Sequence, residues 1–136
     1  HALVHERGLE TQVSFLGKVS HEDLLSGFRT ADIFLFVAHL QSWGLAVFEA
    51  MSMGLPVIVS ETTGASEVLE QGKTAMLVPP YSPDKIADAA ETLADPLVYQ
   101  KMSRDGRAFV EHEISWERYA DELLDMFKEA QTQYEK

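Results

Sequence analysis

The stretch IFLFVAHLQSWGLAVFEAMSMGLPVIVS, Ile33 to Ser60, decides the fold. Its two ends, Ile33 to Val37 and Pro56 to Val59, are strand-sized and continuously apolar, the pattern of parallel strands covered on both faces. Between them Gln41-Ser42-Trp43-Gly44-Leu45 leads into an apolar helical run that Gly54-Leu55-Pro56 terminates. A strand, a helix and a second strand in succession form a βαβ unit. The whole stretch holds one formal charge, Glu49. A carboxylate set among so many apolar residues needs a partner if it is buried, because an unpaired buried charge is expensive.

Two further β-rich runs, Val13 to Leu16 and Ala75 to Val78, flank this unit and alternate with helical segments. Ser20 is a plausible N-cap ahead of His21-Glu22-Asp23-Leu24-Leu25, with Asp23 at the capping-box position. An opening helix stops at Gly8, a short one runs from near Ala65 to Gly72, and Pro79-Pro80 breaks the chain after the last strand. From Pro83 onward the pattern is helical, with Ile86, Ala89, Ala90 and Leu93 on one stripe and Trp116, Tyr119, Leu123, Met126 and Phe127 on another. Trp116 and Tyr119 read as core. The fold class expected is α/β: a partial Rossmann-like domain of about four parallel strands, flanked by helices, with residues 83–136 as a helical C-terminal extension.

Composition bounds the function. The 136 residues, 46% hydrophobic, suit one compact domain or part of one. There is no cysteine, so neither a disulfide framework nor a thiolate metal site exists. A net charge of −11 without a basic cluster argues against nucleic acid and anionic membrane surfaces as partners. No apolar run approaches the roughly 20 residues of a membrane span, and His1 to Arg7 lacks signal-peptide layout, so a cytoplasmic location is expected, with a parent protein peripheral at the membrane as a variant. Glu111-His112-Glu113 lacks the paired histidines of a zinc helix, and no metal or cofactor is expected. The first residue is not Met, which suggests a piece of a longer polypeptide.

In an open α/β sheet, ligands bind beyond the carboxyl ends of the strands, where loops enter helices. Four such loops occur: Gly17-Lys18-Val19, His39 to Trp43, Ser60 to Gly64, and Pro79 to Ser82. A glycine at a helix start, Gly44, exposes amides that suit a phosphate, although turn geometry alone also explains it. Glu49, aligned with Leu45 and Ser52, could accept two hydrogen bonds from a ribose diol; the alternative is one solvated stripe on an otherwise buried helix. Thr62-Thr63-Gly64 offers hydroxyls and amides to a second anionic or sugar oxygen, while Glu67 reads as an ordinary first-turn acid and His39 as a surface or packing histidine.

Taken together, these loops resemble the donor-binding domain of GT-B retaining glycosyltransferases, the group that includes glycogen and sucrose synthases. The likeness runs from Val13 to Asp84. Phe15-Leu16-Gly17-Lys18-Val19, Ala31-Asp32-Ile33-Phe34-Leu35, the Gln41 to Glu49 element, Gly54-Leu55-Pro56-Val57-Ile58, Thr63-Gly64 with Glu67, and Leu77-Val78-Pro79-Pro80 carry it. The resemblance implies that Glu49 holds the ribose hydroxyls, that Gly44, Leu45 and Ser42 border the pyrophosphate, and that Gln41 faces the donor sugar. It further implies that Gly17 and Val19 lie near the base, with Thr63 and Gly64 completing the donor site.

The family pattern has glutamate where this chain has Gln41, Pro-Ser where it has Val37-Ala38, and glycine where it has Thr63. It also implies two earlier βα units carrying an Arg/Lys pair and an acceptor-binding N-terminal domain, none of which this sequence contains. The expected function is therefore the donor-binding part of an enzyme that moves a sugar from a nucleotide-diphosphate sugar to an acceptor with retention, inactive alone. A fragment of another GT-B enzyme, such as a nucleotide-sugar epimerase, or a non-catalytic binding module are the alternatives. With the intervening strands absent, Val13 to Leu16 is expected either to pair with Ile33 to Val37 or to be replaced by a second chain through strand swapping or homodimerisation.

Overall fold

The computed structural model describes residues 1–134. Three parallel strands, β1 (Phe34–Phe36), β2 (Val57–Ser60) and β3 (Met76–Val78), lie side by side in that order. Phe34 registers with Val57, and Ile58 with Met76. The helices are α1 (Ala2–Glu6), α2 (His21–Thr30), α3 (Leu45–Ser52), α4 (Pro83–Leu93), α5 (Pro96–Glu113) and α6 (Trp116–Tyr134), with one 3₁₀ turn at Gly64–Glu67.

Strand β2 organises the core because it is central and apolar on both faces. Val57 and Val59 point into one cluster with Phe28 of α2 and Val47, Phe48, Ala50 and Met51 of α3. Ile58 points the other way, to Val78, Ala89 and Leu93 of α4, and Met102 of α5. Helix α5 reaches both clusters, since Phe109 and Val110 pack against the first. It approaches closely at Gly106, where a Cβ would meet the Thr74 carbonyl oxygen at 3.3 Å, and the Ser103 hydroxyl donates to the Gly54 carbonyl at 2.6 Å.

Several ends follow the sequence rules. The Ser20 hydroxyl accepts from the Asp23 amide and donates to its carboxylate, which starts α2. Gly54, at φ +78, ends α3 in a Schellman motif, with Leu55 N–H donating to Ala50 and Gly54 N–H to Met51. The long helical tail is broken at Asp95, whose carboxylate caps α5 by accepting from the Leu97 and Val98 amides. Asp95-Pro96 is the local signal for that start, a capping acid followed by proline at the first helical position.

Three expectations are corrected. The sheet has three strands, not about four: residues 13–16 are irregular, and Phe15 and Leu16 are exposed. Among the described residues no backbone hydrogen bond holds residues 14–19, so this β-prone run lacks the ladder that makes a strand, and it does not pair with β1. Strand β1 is covered on one face only. Phe34 and Phe36 pack on the α3 side, while Leu35 and Val37 on the other face are exposed, and among the described residues the outer edge is unpaired. Finally, Trp116 and Tyr119 are surface residues, 81% and 59% exposed. Helix α6 has the expected amphipathic stripe, yet every described residue on it is exposed.

Candidate functional site

The carboxyl ends of β1 and β2 open into two loops that the backbone joins. Residues Gln41 and Thr63 form a parallel bridge, and the Gly64 amide donates to the Gln41 carbonyl at 3.0 Å. The Thr62 hydroxyl donates to the Ala38 carbonyl at 3.4 Å and is 3.0 Å from the Ser60 hydroxyl. Thr63 is buried, and its hydroxyl donates to the Ser60 carbonyl at 2.9 Å, so this side chain holds the turn while its backbone lies on the rim.

The first loop ends at Gly44, the N-cap of α3, in the left-handed conformation at φ 84 and ψ 56. Glycine is required there twice over: the torsion disfavours other residues, and a Cβ would lie 2.7 Å from the Phe36 ring. The first bond of α3 runs from the Val47 amide to the Gly44 carbonyl. Among the described residues, the Gly44, Leu45 and Ala46 amides make no backbone bond, which leaves a cluster of donors in the favourable field of a helix start. Trp43 stacks on Phe48 with ring centroids 5.4 Å apart, fixing the loop to the helix.

Glu49 lies one turn further into α3, on the face of Leu45. It is half-buried and makes no ion pair or hydrogen bond through its side chain among the described residues. Its oxygens remain accessible to solvent, since no buried side-chain oxygen lacks a partner. The apolar surroundings therefore do not force a protein partner on it. Gln41, Ser42 and Leu45 are exposed, and Gly44 and Gly64 half-exposed; the joined loops bring Gln41, Ser42, Thr63 and Gly64 together, with Gly44, Leu45 and Glu49 following along the start of α3.

No hydrogen bond ties Gly17 or Val19 to this group among the described residues. Both lie on the irregular segment before α2, and nothing is within 4 Å of where a Gly17 Cβ would be. The rim loops, residues 38–45 and 60–67, contain no lysine or arginine, so anion binding there relies on amides. Among the described residues no cluster of His, Asp and Glu could hold a metal ion, and no helix is long and apolar enough to cross a membrane.

Pro79 to Ser82, one of the four loops expected at this edge, borders the rim, but the cleft and ring contact it makes there were not read from the sequence. On the α4 side, an open cleft of about 390 Å³ is lined by Val37, Ser60, Pro79, Tyr81 and Ile86, and the His39 ring lies 4.7 Å from that of Tyr81. Tyr81 has φ 56, uncommon for a bulky residue, and only the break at Pro79-Pro80 hinted at an unusual turn. A larger cavity of about 460 Å³, between Asp32, Ile33, Leu93 and Tyr99, sits at the amino end of β1, away from the rim.

Residues 1–109 match the family described as glycosyl transferases group 1. The chain belongs to this family. Among curated relatives, this group 1 glycosyltransferase chain is 32% identical over 129 residues to a D-inositol 3-phosphate glycosyltransferase of Saccharomonospora viridis, a match covering 94% of the chain and 30% of the relative. It is 31% identical over 134 residues to a GDP-mannose-dependent alpha-(1-6)-phosphatidylinositol monomannoside mannosyltransferase of Mycobacterium tuberculosis, covering 93% of the chain and 35% of the relative. The chain thus spans about a third of the length of these relatives. Its fold matches the crystal structure of the C-terminal domain of a glycosyl transferase group 1 family protein from Francisella tularensis, with a TM-score of 0.78 and 26% identity over 85% of this chain and 60% of that one. The expected α/β, Rossmann-like GT-B class is thereby the observed one, with a three-stranded parallel sheet.

Proposed function

We propose that this chain is the donor-binding part of a retaining glycosyltransferase that takes its sugar from a nucleotide-diphosphate sugar. The observation that carries the reading is the start of α3: a left-handed glycine cap, unpartnered amides at Gly44, Leu45 and Ala46, and a carboxylate one turn later, all at the carboxyl edge of a parallel sheet. Diphosphate oxygens accept from these amides, where the helix field opposes the charge that builds on the departing diphosphate. Glu49 accepts from both ribose hydroxyls, a charged and bidentate interaction. Gln41 faces the donor sugar, Ser42 borders the diphosphate, the Thr63 backbone and Gly64 close the far side, and Gly17 and Val19 border the base.

The name of the Mycobacterium tuberculosis relative, which specifies a GDP-mannose donor, supports a nucleotide sugar as the substrate class. No metal enters this scheme, and the acceptor is chosen by an N-terminal domain of the full polypeptide, which we place in the cytoplasm or at a membrane surface. With no cation on the rim, diphosphate binding by this chain is weak and turnover absent. Gln41 brings a carboxamide to the donor sugar, so it can donate and accept hydrogen bonds but adds no negative charge. That residue also favours a second reading, a module that binds without catalysis.

Titration of the ¹⁵N-labelled chain with UDP-, GDP- and ADP-sugars tests the proposal. Amide shifts at Gly44, Leu45 and Glu49 are expected with at least one of them, and Glu49→Gln should weaken that binding about tenfold, the loss of one charged hydrogen bond. No shift at these residues at millimolar nucleotide sugar would remove the donor-site reading. Gln41→Glu in the full polypeptide separates catalysis from binding alone, because unchanged transfer would favour the module.

A further inference from the structure

We infer that Gly64 is a positioning residue, whose missing side chain lets the second loop lock the first and set the α3 amides before any ligand arrives; this rests on the donor-site reading above. A Cβ on Gly64 would lie 1.7 Å from the Ser42 carbonyl oxygen, 2.8 Å from its carbon and 3.1 Å from the Trp43 Cα. All three are backbone atoms, so no rotamer change relieves the clash. Gly64 is not among the glycines with positive φ, so close approach alone explains the residue.

The contact completes a clamp. The β1–β2 ladder ends at Phe36 opposite Val59 and resumes at Gln41 opposite Thr63, with four residues (37–40) on one side and three (60–62) on the other. The Gly64 amide then donates to the Gln41 carbonyl. At the other end of the segment, Phe36 fills the space beside Gly44, within 2.7 Å of where a Cβ would be. Residues 41–44 are thus fixed at Gln41 and Ser42 by the backbone of Gly64 and at Gly44 by the Phe36 ring. The donor amides of Gly44, Leu45 and Ala46 follow immediately, and their direction is set by this segment. A cradle fixed in advance avoids the ordering cost that a flexible loop meets on binding a diphosphate.

A merely structural glycine would lower stability without selective effect on the rim, and two variants separate these roles. Gly64→Ala is expected to shift the amide resonances of residues 42–46 and to weaken binding of UDP or GDP at least tenfold. Gly72→Ala, outside the site, imposes strain at φ +71 in open space and should lower the unfolding midpoint while leaving those resonances and affinities unchanged. Should Gly64→Ala fail to fold, hydrogen exchange in the unaltered chain gives the answer: the Gly64 amide should be protected well beyond a free peptide. Exchange at the free-peptide rate, or unmoved 42–46 resonances in folded Gly64→Ala, would overturn the inference. If neither nucleotide binds the unaltered chain, the donor reading fails, whereas the clamp is still judged by resonances and exchange.

Discussion

Removing α6 by ending the chain after Ser115 tests how far the folded body extends. The helix has a strong apolar stripe, but Trp116 is 81% exposed, Phe127 64% and Tyr119 59%, and even Leu123, the most covered of its large apolar residues, is 37% exposed. Among the described residues, none of α6 joins either core cluster. The cut severs the bonds from the Arg118 and Tyr119 amides to Ser115, which only start the helix, and the ion pair between Arg118 and Glu113, both partners of which are about half exposed. Exposed pairs of this kind contribute about 0.2–1 kcal/mol. Little apolar area is uncovered either, so the loss should stay near 1 kcal/mol, against roughly 5–15 kcal/mol for a whole domain. Urea unfolding followed by circular dichroism gives the readout. With a slope of about 1–3 kcal/mol/M, the midpoint should fall by no more than about 0.5–1 M, and the slope should barely change because α6 is solvated in both states. A fall of about 2 M, or a clearly reduced slope, would show that α6 packs on the body and would refute the reasoning.

Other outcomes follow from the same geometry. Leu93→Ala, at a side chain 2% exposed between Ile58 and Met102, should cost about 3 kcal/mol in the same urea assay, whereas Leu97→Ala, 77% exposed, should stay within about 0.5 kcal/mol. Lys101, bonded to the Asp105 carboxylate at 2.9 Å, lowers that carboxyl below its ordinary value, with Arg104 adding to the effect. A depressed folded pKa stabilises above the unfolded pKa, and this contribution disappears as pH falls through the folded value. NMR titration should therefore find the Asp105 midpoint below that of an ordinary aspartate, moving upward in Lys101→Ala; an unmoved midpoint would remove Lys101 as the cause.

Strand β2 was legible in the sequence because Val57, Ile58 and Val59 face apolar neighbours on both sides, and an uninterrupted apolar run states that demand directly. Val13 to Leu16 has similar composition and is no strand. A ladder needs an adjacent edge, which local residues do not encode. The periodicity of α6 announced a helix correctly, but periodicity reports a face and not what covers it. At the site, Gly44 and Leu45 could be singled out from a glycine ahead of an apolar helix. The contact of Gly64 with Ser42 joins residues 22 positions apart and was visible only in three dimensions.

The unpaired margin of β1 bears on how the chain behaves in solution. Leu35 and Val37 sit beside a row of free backbone groups, a template for adding a foreign strand. At neutral pH a net charge of −11 keeps copies apart. That mutual repulsion vanishes near the isoelectric point of about 4.7. Mild acid should therefore turn the same margin into a seed for precipitation, well before the core itself gives way.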